Sequence, residues 1–259
     1  MAESTWVNLR RDVRDVAVLT INNPAKLNTL NTAVMNDLIA AAEQLAKDRD
    51  LRAVVLRGAG DRAFIGGADI GEMVNLGAGS ARAFITLVHR SCDVFRRMPV
   101  PVIARIEGWT LGAGLEVAAA CDMRVASSGA RFGMPEVRVG LPSVVEAALL
   151  PGLIGWGRTR RLLLTGEAID AATALAWGFI EQTAPPEELD GVVDALLDGI
   201  LASGPRAVRL QKALIEDWQA MAVDAAIQHG IDGFVDAWAS DEPRRMMNDF
   251  LQRQHTRRR

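Results

Sequence analysis

The chain has 259 residues, of which 49% are apolar and 24% charged, with a formal net charge of −3. That length and balance suit one large globular domain, or a domain with an appendage, and the slight negative charge gives no electrostatic basis for holding nucleic acid or an anionic membrane surface. Cys92 and Cys121 lack metal-ligand spacing and read as reduced apolar residues; Met1–Arg10 lacks a signal-peptide core and no 18-residue apolar run occurs, so a cytoplasmic protein is expected.

Two short strands are predicted first, near Trp6–Leu9 and Val16–Asn22, with Asn23-Pro24 stopping the second. Asn31 is placed to cap a helix whose apolar face is Met35, Leu38, Ile39, Ala42, Leu45 and Ala46. A β-branched strand, Ala53–Leu56, leads into a loop with five glycines between Gly58 and Gly71. A second amphipathic helix carries Phe84, Leu87, Val88, Ser91 and Phe95; Pro99 and Pro101 end it, and Val100–Ile106 reads as the next strand. Met123–Ala126 is a further strand, Phe132–Glu136 a turn-rich segment, and from Ser143 the pattern is mostly helical, with a strand-like Phe179–Gln182. Pro185-Pro186 is the best candidate boundary, and only helices are predicted beyond it: Glu187–Ala202, Pro205–Ala226 and Pro243–Gln254. Strands alternating with helices, followed by helices alone, predict an α/β fold with an α-helical C-terminal extension.

The most informative stretch is Glu107–Asp122, EGWTLGAGLEVAAACD. Small residues Gly112, Ala113 and Gly114 stand between a strand-like run and a helix-forming run, so a ligand can approach the backbone closely. The first N–H groups of the new helix have no intrahelical partner and attract negative charge. Glu116 is a lone carboxylate among apolar neighbours.

Four segments in order, AFIGGADI (Ala63–Ile70), GWTLGAGLEVAAACD (Gly108–Asp122), FGMPEVRVGLP (Phe132–Pro142) and LTGEAIDAATALAWGFI (Leu164–Ile180), resemble the enoyl-CoA hydratase/isomerase, or crotonase, superfamily. The resemblance implies a spiral of ββα units over residues 1–185 and a helical region, 186–259, that mediates trimer contacts in a homotrimer or dimer of trimers. It implies no metal or redox cofactor, coenzyme A being part of the substrate. Ala68 and Ala113 match the two positions whose backbone N–H groups form the family's oxyanion hole, and Glu116 and Glu136 match the two acids of its hydratases. Adding water across a conjugated double bond needs a base for the water and an acid for the α-carbon, which two carboxyls in a partly apolar pocket can supply.

Other positions leave two readings open. Lys26 lies where the family often places a basic residue near the CoA phosphates, and equally suits solvent. Asp69 reads as a loop-stabilising side chain; with Ala68, Ile70 and Gly112 it completes the candidate substrate-binding positions near the anion site. Met73, Val74 and Leu76 suit an acyl pocket or ordinary core. His89 and His229 read as helix-surface residues, and Arg253, near Phe250 in the last helix, suits an exposed helix face or a reach to CoA from a neighbouring subunit. One departure stands out: where many hydratases continue with a glycine-rich run, this chain has Ser143-Val144-Val145-Glu146-Ala147. Either Ser143 caps a helix with Glu146 closing a capping box, or Glu146 faces the acyl end of the pocket. The expected activity is hydration of a 2-enoyl-CoA thioester. The alternatives are an isomerase, carnitinyl-CoA-like dehydratase or decarboxylase on the same scaffold, or an acyl-CoA- or RNA-binding protein.

Overall fold

The computed structural model describes residues 6–257, so the start of the Met1–Arg10 segment and the last two arginines lie outside it. Strands β1 (Val7–Arg11) and β2 (Val16–Ile21) form an antiparallel hairpin. Helix α1 (Thr32–Ala46) starts where Asn31 accepts a side-chain hydrogen bond from the Val34 N–H, the expected cap, and buries the expected face. Each following turn of chain gives one strand to a large sheet and one to a small sheet. The first contributes β3 (Ala53–Gly58) and β4 (Ala63–Ile65), followed by the short α2 (Ile70–Met73) and the long α3 (Ala78–Arg96). The second contributes β5 (Val102–Ile106), β6 (Trp109–Leu111) and α4 (Ala113–Ala120), and the third β7 (Met123–Ser127) and β8 (Arg131–Gly133). After α5 (Leu150–Ile154) and α6 (Trp156–Thr165) come β9 (Ala168–Asp170), α7 (Ala171–Trp177) and β10 (Gln182–Ala184). The large sheet runs β1-β2-β3-β5-β7-β10 and the small one β4-β6-β8-β9, with neighbours parallel except for β1–β2 and β8–β9.

Burial follows the two-residue period of a strand. From β3, Val54 and Leu56 join a core with α1, α3 and α4, whereas Ala53 and Val55 face the other way. That second face is covered by α8 (Leu189–Leu201), through Leu189, Val193 and Leu197. The helix just after Pro185-Pro186 is therefore packed on the sheet, and packing does not break at that dipeptide.

Beyond α8 the predicted Pro205–Ala226 helix is two helices, α9 (Pro205–Trp218) and α10 (Val223–Ala237), and α11 (Glu242–Arg257) follows. No glycine or proline marks the break; Ala222 takes up extended backbone, and the Trp218 indole N–H donates to the Ala226 carbonyl across it. The buried Lys212 ammonium fastens α9 to the core, donating to the Phe95 and Val100 carbonyls and to Asp122. The strand expected at Phe179–Gln182 lies later, at β10; Phe179 and Ile180 are core residues outside it.

Candidate active site

The site follows from the parallel pairing of β4 with β6, which ends both strands at one edge and sets the turns after them side by side. In the first turn, Leu30 forms a parallel bridge to Ala68: the Leu30 N–H donates to the Gly67 carbonyl and the Asp69 N–H donates to the Leu30 carbonyl. Successive peptide groups in an extended chain point to opposite sides, so the Ala68 N–H is turned away from Leu30. In the second turn Gly112 has φ 51° and ψ −122°, a conformation that side chains resist, and Ala113 opens α4. Neither the Ala68 nor the Ala113 N–H has a hydrogen-bond acceptor among the described residues. Gly114 lets α4 approach β4, because a Cβ there would overlap the Ile65 carbonyl.

Every residue of α4 is buried, as expected of a helix apolar all round, and Glu116 is its one charged residue. Its Oε1 accepts from the Ala147 N–H at 3.1 Å. Burial, reinforced by Glu136 and Glu146 and opposed by the Ala147 N–H, pushes the Glu116 carboxyl up from 4.5 to about 8. Glu136 sits in the first turn of a 3-10 segment, Pro135–Val139, just after β8. The Gly112 N–H donates to the Gly133 carbonyl at 2.9 Å, which joins the ends of β6 and β8 and brings Glu136 against Gly112. The Ser143 hydroxyl donates to Glu136 Oε2 at 2.7 Å. The contact at Gly112 is so close that an added Cβ would overlap Glu136 Oε1. Gly112→Ala is therefore expected to cost about 1–3 kcal/mol of stability from backbone strain. By displacing Glu136 it should also lower kcat by roughly tenfold to a hundredfold. A thermal melt beside steady-state kinetics checks this, and unchanged kcat would separate Glu136 from the reaction.

Ala68, Gly112, Ala113, Glu116, Glu136 and Ser143 line one cavity of about 650 Å³, whose remaining wall is mostly apolar: Ile70, Met73, Leu76, Phe84, Val88, Leu111, Leu141 and Val144 among others. Three residues proposed from sequence as substrate-binding do not line it. Lys26 is exposed, its ammonium 3.1 Å from Asp69 Oδ2. Asp69 caps α2 by accepting from the Gly71 and Glu72 N–H groups; Lys26 and these donors hold it below the usual carboxylate range against the opposing effect of burial. Glu146 turns its carboxylate away from the acyl cavity to His89, with Nδ1–Oε1 at 2.7 Å.

The expected Ser143 cap is also corrected. Ser143 serves Glu136 instead, and the 3-10 turn Val145–Leu149 starts after Val144 with no side-chain cap. Val145, at φ 39°, is a β-branched residue in the left-handed region, strained where glycine would not be. Ser143, His89 and the Ala147 N–H were missed as partners of the three acids, since contacts over 7, 57 and 31 residues follow from the fold and not from any local pattern. Val74 is exposed; His229 pairs with Asp217 between α9 and α10 at 2.8 Å; Arg253 is exposed on α11. Among the described residues no cluster of His, Cys, Asp and Glu could hold a metal ion, and no helix is long and apolar enough to cross a membrane.

Comparison with known proteins gives the same family as the motifs. The sequence profile described as enoyl-CoA hydratase/isomerase matches residues 12–257. The short-chain-enoyl-CoA hydratase of Clostridium acetobutylicum is 34% identical over 242 residues, with 92% of each chain covered. The crotonyl-CoA hydratase of Syntrophomonas wolfei is 36% identical over 239 residues, again with 92% of each covered. The crystal structure of an enoyl-CoA hydratase from Mycobacterium smegmatis superposes with a TM-score of 0.93 at 29% identity, covering 96% of both chains. With the two sheets wound in parallel, the turns after β4 and β6 side by side and a profile spanning nearly the whole chain, this protein belongs to the enoyl-CoA hydratase/isomerase family and has its crotonase fold.

Proposed function

We propose that the protein hydrates 2-enoyl-CoA thioesters. The observation that carries this reading is the meeting of two unpartnered N–H groups, Ala68 and Ala113, with two carboxyls, Glu116 and Glu136, on one mostly apolar cavity. When water adds at the β-carbon, negative charge moves to the thioester oxygen. Two fixed amide donors stabilise that oxyanion without reorganising, and one such donor is typically worth about 3–4 kcal/mol. One carboxyl takes a proton from the attacking water while the other delivers one to the α-carbon. Glu116, whose carboxyl is pushed up to about 8, holds a transferable proton in neutral solution. Turnover that uses this proton falls as pH rises through about 8.

Crotonyl-CoA is the first substrate to test, being the acyl class of the similar hydratases. Loss of its enoyl absorbance on incubation with the purified protein supports the reading, and no loss at high enzyme concentration rejects it. CoA would enter as part of the substrate, with no separate cofactor. In this reading Lys26, exposed and paired with Asp69 beside the loop that carries Ala68, would meet its phosphates, and the cavity residues Ile70 and Gly112 would flank the thioester.

In this reading residues 1–185 form the catalytic core, α8 covers its sheet, and the later helices assemble a homotrimer or dimer of trimers in the cytoplasm. Supporting this, Trp218, Met221, Ile227, Phe234, Trp238 and Phe250 are exposed, and a groove of about 810 Å³ lies between α9 and α10. Light scattering is expected to give three or six chains per particle; a monomer stable to dilution would reject it.

A further inference from the structure

We propose that Glu146, held by His89, is a positioning residue that sets the place of Glu116. This rests on the hydratase reading above. Three geometric facts converge on the turn that contains Glu146. The turn packs between α3 and α4, the helices that carry His89 and Glu116. Its Ala147 N–H is the donor to Glu116 Oε1, and Ala147 is itself buried. Val145, immediately before Glu146, is held at φ 39°. A β-branched residue stays in that region only when its surroundings over-determine it. Val145 packs against the hydrophobic core, and the residues after it are tied by the Ala147 N–H to Glu116 and by the Glu146 carboxylate to His89 Nδ1 at 2.7 Å.

Glu146 is an expensive choice for a merely structural anchor. It is 3% exposed; its Oε2 has no partner at hydrogen-bond distance among the described residues, and the one further polar group on its carboxyl is the weakly donating, buried Cys92 thiol. An apolar side chain would fill the space without burying a half-satisfied carboxylate. After burial and Glu136, the Glu146 carboxylate also makes the Glu116 proton harder to remove. The groups facing Glu146 are His89, Cys92 and Arg96 from α3 and Glu116 from α4. Burial raises Glu146's own proton affinity, and His89, Cys92 and Arg96 oppose that. His89 is half exposed and so connects the pair to solvent. Glu146 thus acts on Glu116 twice: through the backbone donor it holds in place, and through its field.

The test compares Glu146→Gln, Glu146→Ala and His89→Gln in the full chain. Gln at 146 can still accept from His89 but carries no charge. Its kcat at pH 6.5 should stay within about threefold of wild type, and the alkaline fall of kcat should move to lower pH. Ala at 146 should lower kcat at least tenfold while KM stays within about threefold. The conservative Gln, by retaining the hydrogen bond, should rescue most of that loss. His89→Gln, on the half-exposed end, should move the alkaline fall without unfolding the core. If all three variants keep both the wild-type kcat and its pH profile, the proposal is overturned. If Glu146→Ala fails to fold, the Gln variants decide the question. A readout free of turnover separates this proposal from the hydratase reading: an infrared titration of the Glu116 carboxyl band, assigned by difference against Glu116→Gln. That band should titrate at lower pH in Glu146→Gln even if no enoyl-CoA is hydrated. An unmoved band overturns the positioning role whatever the substrate.

Discussion

Glu116→Gln and Glu136→Gln are each expected to lower kcat for enoyl-CoA hydration by at least about a hundredfold, the usual contribution of a general acid or base, with KM changed far less. Each substitution is nearly isosteric. Gln at 116 can still accept from the Ala147 N–H, and Gln at 136 can still accept from Ser143, so the cavity keeps its shape. What is lost is the proton that each carboxyl must give or take. The oxyanion donors, being backbone groups of Ala68 and Ala113, are untouched, so a residual rate above that in water should survive in both variants. Stopped-flow or steady-state loss of enoyl absorbance measures this. Either variant retaining near wild-type turnover would remove that residue from the proposed mechanism. The double variant should be scarcely worse than the poorer single one, because the two carboxyls act as a unit.

The same Glu116→Gln change should stabilise the protein increasingly as pH rises. In the folded chain Glu116 keeps its proton to about pH 8, whereas unfolding returns it to its ordinary 4.5. Between those values the unfolded chain has released a proton that the folded chain retains, so folding is disfavoured progressively as pH climbs. Below 4.5 both states hold the proton and no penalty exists; above about 8 it is complete. The window of 3.5 pH units (8 less 4.5) corresponds to an upper bound near 5 kcal/mol. Gln has no proton to lose. Denaturant melts at pH 5, 7 and 8.5 should show the variant's advantage widening by a few kcal/mol across the series. A constant difference would mean that Glu116 is not the proton-holding group. The acid that serves the reaction is thus one that the fold would be more stable without, a usual conflict between stability and function.

How much of this was readable in the sequence depended on range. α1, its Asn31 cap and the strands β2, β3 and β5 follow from local periodicity and punctuation, and all are present near their expected places. The family resemblance gave the spiral, which periodicity alone cannot: β4 and β6 are three residues each, too short to show a pattern. Ser143 and Glu146 carried the spacing of a capping box, and the box is absent because better partners, Glu136 and His89, arrive from other parts of the chain. The break between α9 and α10 has no breaker residue; Ala222 takes up extended backbone there. The family resemblance thus named the candidate acids and donors, and tertiary contacts decide what each acid touches.

The placement of α8 has a consequence for dissecting the chain. Leu189, Val193 and Leu197 cover Val16, Ala53, Val55, Ile103 and Val125, and Arg52 reaches past them to the Leu201 and Ser203 carbonyls. A polypeptide terminated at the Pro185-Pro186 dipeptide would bare one whole face of its largest sheet, an apolar strip of the kind that drives precipitation. The smallest autonomous unit is therefore expected to end beyond Ser203.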